Sequence, residues 1–223
     1  MALFVVLAEI FEVKGATDAD TGVLVLPPLN WFYIELHLLE EQARASSLSE
    51  HLYNHAFARI RMVISPLYLQ ASWHGMRGNL TSEVLLAIAF LNEVLPSEEI
   101  TVPPEELAAI AAELDELLSL VLKSDLPVAL RRFTQHQLQL IELALAQYPI
   151  FGAKALREAG HSALGEIIET QGTVEATVDS PEALSRLGQL WKRLNTAADV
   201  ALKSEKVGQL GHRAWEALSN WLQ

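Results

Sequence analysis

Apolar residues recur every three or four positions along most of this chain. That spacing gathers them on one side of an α-helix. Residues 2–13 place Leu3, Leu7, Ile10 and Phe11 on one side, with Glu9 and Glu12 opposite. The pattern favours a helix there, and the valines leave a strand as the alternative. Gly22–Leu26 is the best strand candidate, closed at once by Pro27 and Pro28. Asn30 is placed to cap a helix from Trp31 to about Ala45. Ser47 and Glu50 have capping-box spacing and open a helix to about Ile64, stopped by Pro66. A short helix to Trp73 and a loop over 74–79 follow. Ser82 is placed to cap a strongly apolar helix over 83–95.

The second half is punctuated more sharply. Pro103, Pro104, Glu105 and Glu106 give proline in the first turn and acids at the positive end of the helix dipole. That helix runs to about Lys123. Ser124 and Pro127 open the next, expected to end before Pro149. Residues 153–159 form a short helix that Gly160 can stop, and 162–170 another. Residues 171–179 read as a connector. Ser180, Pro181 and Glu182 restart a helix, with further breaks expected near Lys203 and Gly208. The prediction is an all-α protein, a multi-helix bundle or orthogonal array. Its parts are an acidic core domain over 1–170, a connector over 171–180, and a helical hairpin over 181–223 packed on the core or on a partner.

Charge supports that boundary. Residues 1–180 carry a net −14 and residues 181–223 a net +2, for −12 overall. An acidic chain is repelled by phosphate backbones, whose affinity for proteins comes largely from Lys and Arg displacing counterions. Nucleic acid is therefore not an expected partner. Docking on an anionic membrane leaflet, which needs clustered basic residues, is disfavoured for the same reason. With no cysteine, disulfides, thiolate metal sites and a cysteine nucleophile are excluded. The apolar start has no basic residue ahead of it and reads as a core helix rather than a secretion signal. No apolar run approaches the ~20 residues of a membrane span. A cytoplasmic protein without a stable span is the expectation.

Three groups of residues are candidates for function. Trp73, His74 and Arg77 bring an indole, an imidazole and a guanidinium together in a glycine-containing loop, and loops often carry sites. The plainer reading is a tight turn with Trp73 plugging the core. His51, His55 and Arg59 lie four apart along a polar helical flank. A His-x-x-x-His pair can hold a metal, but the zincin pattern needs Glu after the first His, and Leu52 stands there. No metal and no cofactor are expected. Leu210, Trp215, Leu218, Trp221 and Leu222 form an apolar stripe near the end of the chain. This is a core face or an interface anchor, since Trp is enriched among binding hot spots. The acids of 81–125 read as a solvated face. No serine sits in a nucleophile elbow and there is no phosphate loop.

The run Ser124-Asp-Leu-Pro-Val-Ala-Leu-Arg-Arg-Phe133, with Gln137–Leu145 and Tyr148–Leu156, resembles a pattern in uncharacterised bacterial all-helical proteins of mobile-element and defence neighbourhoods. The resemblance carries no catalytic residue. It implies a bacterial source and a defence or toxin–antitoxin accessory role. The leading expectation is a non-enzymatic interaction or regulatory protein that binds a protein partner or itself. The alternatives are a helical membrane-active effector, suggested by 83–95, and a small-ligand enzyme around His74 and Arg77.

Overall fold

The computed structural model describes residues 1–11, 13, 18–95, 101–175 and 181–201. They are all-α: among them there is no strand, only an isolated antiparallel bridge between Ala2 and Ser72. The chain divides into two compact units, 1–97 and 98–223. The boundary expected at 171–180 therefore lies inside the second unit.

Unit 1 is built of mostly short helices. These are α1 (Leu3–Ile10), α2 (Asp18–Leu24), α3 (Leu26–Ala45), α4 (Asn54–Val63), α5 (Trp73–Arg77) and α6 (Ser82–Val94), with single 3-10 turns at Glu50–Leu52 and Pro66–Tyr68. The strand alternatives for 2–13 and 22–26 are both replaced by helix. At 22–26 the reason is local. Pro27 and Pro28 occupy the first turn of α3, where the helix has no use for their missing N–H groups. The Val25 N–H donates to Thr21 O at 3.1 Å and the Leu29 N–H to Val25 O at 3.1 Å, which closes helical turns across the junction. The prolines thus start α3, and Asn30 lies inside it. As one piece, Asp20–Ala45 is long and apolar enough to cross a membrane by length and composition, although no uninterrupted apolar run in it approaches that length.

Two capping assignments also shift. The side-chain oxygen capping α6 is that of Thr81, which accepts from the Val84 N–H at 3.4 Å; Ser82 is the first helical residue. The expected helix over 47–64 is broken at Tyr53 into a 3-10 turn and α4. Tyr53 is fully buried there, packed edge-to-face on Phe57 with ring centroids 5.8 Å apart. Around this pair lies the core of unit 1, with Leu3, Leu36, Ala56, Val84 and Leu91. The start of the chain is tied down by the Leu3 N–H to Ala71 O (2.8 Å) and the Trp73 N–H to Met1 O (3.0 Å).

Among the described residues, unit 2 is a bundle of four long helices: α7 (Pro104–Lys123), α8 (Val128–Phe151), α9 (Ala153–Glu175) and α10 (Pro181–Val200). Each packs on the next, and α10 returns onto α7. Helix α8 runs through Pro149 instead of stopping before it, because a proline three residues from the end removes only one late hydrogen bond. The stop is Gly152, at φ 60°, a left-handed conformation that favours glycine. Its N–H donates to Tyr148 O at 2.9 Å. Gly160 does not end a helix either. It lies inside α9 against Asn195 of α10, where a Cβ would meet the Asn195 Oδ1 at 2.5 Å. The glycine is there for close helix packing. The core runs from Ile110 through Leu130 and Leu156 to Leu187 and a fully buried Trp191.

Candidate functional site

The segment holding Trp73, His74 and Arg77 is a short helix, not a loop. Its buried residue is Met76, while Trp73 is half-buried against the unit 1 core, so Met76 is the plug that Trp73 was expected to be. His74 and Arg77 are exposed. Among the described residues neither side chain has a hydrogen-bond or ion-pair partner, and no carboxylate is brought to them.

His51, His55 and Arg59 are likewise exposed. His51 stands in the 3-10 turn and the other two on α4, so the break at Tyr53 interrupts their stripe. Among the described residues no group of three His, Asp or Glu side chains is placed to hold a metal. Leu210, Trp215, Leu218, Trp221 and Leu222 lie outside the described residues.

The charged clusters that do form were missed in the sequence. In unit 1, Glu40 is 4% exposed on α3 and accepts from Arg44 at 2.8 Å and from Arg61 on α4. A buried carboxylate needs such partners, since desolvating an unpaired charge costs several kcal/mol. In unit 2, Arg193 on α10 reaches two glutamates seven residues apart on α7. Its Nε and Nη2 donate to the two oxygens of Glu106, at 2.6 and 3.0 Å, and its Nη1 donates to Glu113. The hydrogen bonds from Arg193 hold the Glu106 carboxyl below its usual range, with Coulomb attraction adding and desolvation opposing. The same bonds raise the guanidinium above its ordinary value. Beside this clamp runs a groove of about 480 Å³ lined by Glu113, Glu116, Leu117, Arg186 and Arg193. Its arginines are already matched, Arg186 by Glu182 at 3.0 Å. Of the two acids lining the groove, Glu113 is held by Arg193 and Glu116 has no partner among the described residues.

A third polar cluster joins α8 to α9. The fully buried Gln137 donates to Glu166 at 2.6 Å, and the His136 Nε2 lies 3.5 Å from the same carboxylate. The nearby Thr134 hydroxyl donates to Leu130 O at 2.9 Å, so it is committed to its own helix rather than to the histidine.

The feature with most surface to offer is α6. Val84, Ala87 and Leu91 are buried on one side. On the other, Leu85 is 61% exposed and Leu86 72%, with Phe90 and Val94 also open to solvent. A helix apolar all round is normally buried all round, and this one is covered on one side only. No family model matches the chain, and neither a curated protein nor a solved structure does.

Proposed function

We propose that this chain is a non-enzymatic interaction protein, and that its partner binds unit 1. The observation that carries this reading is the open apolar side of α6. Burying a large apolar side chain is worth roughly 1.5–3 kcal/mol, so Leu85, Leu86 and Phe90 together supply the centre of an interface. The polar groups fit the same reading. The ion pairs are internally matched, and His74 and Arg77 stand alone on the surface. A regulatory role in bacterial defence or a toxin–antitoxin pair rests on the resemblance of 124–156. With a charge of −12, the partner on this reading is not nucleic acid.

The test is the native mass of the protein purified gently from its own host, read by light scattering. The expected mass exceeds the 24.7 kDa of one chain and returns to it in a Leu85→Ser, Leu86→Ser variant. A native mass of one chain would defeat the reading.

A second reading, membrane association of unit 1, is favoured by Asp20–Ala45, of whose most apolar window only 22% is buried. Against it, Glu40 lies within that stretch and its pairing with Arg61 would have to break on insertion. Vesicle flotation and leakage decide: co-flotation with neutral lipid would support it.

A further inference from the structure

Resting on the interaction reading, we infer that the open side of α6 docks an amphipathic helix of a partner protein, one whose apolar stripe is followed by a Lys or Arg that meets Glu93. The shape comes first. Helix α6 has 13 residues, about 20 Å at 1.5 Å per residue. Anchors at i, i+3, i+4 and i+7, by which a helix is read, span about 10 Å and fit within that length. At 100° per residue, Leu85, Ala89 and Leu86 lie opposite the buried Val84, Ala87 and Leu91, and Phe90 borders them. Ala89 between larger side chains lets another helix approach closely.

Charge then selects the occupant. On the same wheel Glu93 falls between Leu86 and Ala89, one turn further along, so a carboxylate stands within the apolar side near its end. It is exposed, and no described residue pairs with it. It also sits at the helix C-terminus, where unpaired carbonyls carry partial negative charge and favour a cation. Helix α6 has no Lys or Arg of its own, and residues 1–97 hold five of them against ten Asp and Glu. On α4, Arg59 and His55 are exposed, and neither is among the partners of Glu93, which has none among the described residues. A second copy fits poorly. Antiparallel self-pairing about Ala89 would lay each Glu93 on the other copy's Leu85, burying two unpaired carboxylates at several kcal/mol each. A lipid surface would face the same glutamate, and an anionic one would be repelled.

The experiment uses the full chain and two fluorescein-labelled 18-residue Leu/Ala helical peptides, one ending its apolar stripe in two lysines and one in two glutamates. The expected result by anisotropy is binding of the lysine peptide at least tenfold tighter than the glutamate peptide. Glu93→Lys should reverse that preference. The double variant Leu85→Ser, Leu86→Ser, at the two most exposed apolar side chains of α6, should lose at least tenfold in affinity for the lysine peptide with its helix content and melting temperature kept, as circular dichroism checks. Equal binding of the two peptides, or an unchanged preference in Glu93→Lys, would overturn the charge assignment. Full binding by the double variant would overturn the site. Displacement of the lysine peptide by neutral vesicles, or a full-chain dimer that the double variant dissolves, would assign the side to lipid or to a second copy instead. Should neither peptide bind while the host-purified protein keeps its α6-dependent mass, the partner chemistry falls and the interaction reading stands.

Discussion

The two units solve the same problem, covering apolar side chains, to different degrees. Unit 2 uses four helices of 20 to 24 residues, each with an apolar stripe that meets a neighbour. Its described outer surfaces are mostly polar, with Leu118, Leu122 and Val128 among the exceptions. Unit 1 uses shorter pieces, and among its described residues only α3 reaches 20 residues. Leu67, Tyr33 and Ile34 are open there, together with the α6 side chains. A long amphipathic helix can bury a whole stripe against one neighbour. A short helix leaves flanks uncovered unless something else supplies the surface. Among the described residues, unit 1 therefore leaves more apolar surface open than unit 2, and on the proposed reading that surface is what a partner covers.

The largest effect expected from that contrast is on stability. Trp191 is fully buried in the unit 2 core, so Trp191→Ala should cost about 3–5 kcal/mol, the usual range for removing a buried aromatic. Leu86→Ala on α6, where the side chain is 72% exposed, should cost less than about 1 kcal/mol. Urea titrations of the two variants give both numbers. Equal costs would erase the distinction between a closed body and an open one.

Next in size is the buried ion pair of unit 1. Glu40→Ala leaves Arg61 on α4 without its carboxylate, and breaking a buried pair costs roughly 3–5 kcal/mol. Because Arg61 is about a third open to water, the expected loss is nearer about 2 kcal/mol. If the double variant Glu40→Leu, Arg61→Met is as stable as the parent, the pair specifies how α3 meets α4 without adding net stability. A Glu40→Ala variant as stable as the parent would mean that α3 is only loosely held to α4.

Much of this architecture was legible beforehand. The helical class followed from three- and four-residue spacing, and the starts of α7 and α10 were read correctly because proline and acids cluster at their first turns. The errors share a cause. Pro27, Pro149 and Gly160 are local signals whose meaning depends on position. A proline at the start of a helix or near its end does not break it, and a glycine inside one serves a neighbour. Gly160 could be understood only once Asn195 was opposite it. Glu40 did leave a trace: it shares a face with Leu29, Leu36 and Ala43, so a carboxylate at a core position was visible in the spacing. The Arg193 clamp left less. The seven-residue interval of Glu106 and Glu113 gains meaning only when α10 is known to lie against α7. The α6 side was flagged as unusually apolar, but its half-coverage depends on which neighbours it finds.

A smaller and more specific effect is expected at the α9–α10 crossing. Gly160→Ala places a methyl 2.5 Å from the Asn195 Oδ1; this is the tip of a half-buried side chain that can turn aside, so the cost should lie at the low end of the overpacking range, about 1 kcal/mol. Asn195→Ala removes the obstacle, so the double variant should recover most of the loss. A calorimetric melt of the four proteins checks this. Independent, additive losses would mean that the helices are not in close contact there.

The smallest effect is the one that reports on charge alone. Arg193 holds Glu106 and Glu113 from the neighbouring helix, and the Glu106 carboxyl is held below its usual range chiefly by that hydrogen bond. A carboxyl whose folded-state pKa is depressed stabilises the fold above its unfolded value and loses that contribution as pH falls through the folded one. The clamp's contribution should therefore be complete at neutral pH and fade as the solution is acidified below the usual glutamate range. Arg193→Gln removes the cause of the shift. Its stability should be lower than that of the parent at pH 7, and the gap should narrow with acid, because the parent has more to lose on protonation. Both side chains are about a third exposed, so solvent screening keeps the difference modest, and added salt should shrink it further. Denaturant midpoints of parent and variant at pH 7 and at pH 3 read the gap directly. A gap that stays constant across that range would show that Arg193 acts through the packing of its aliphatic stem rather than through its charge.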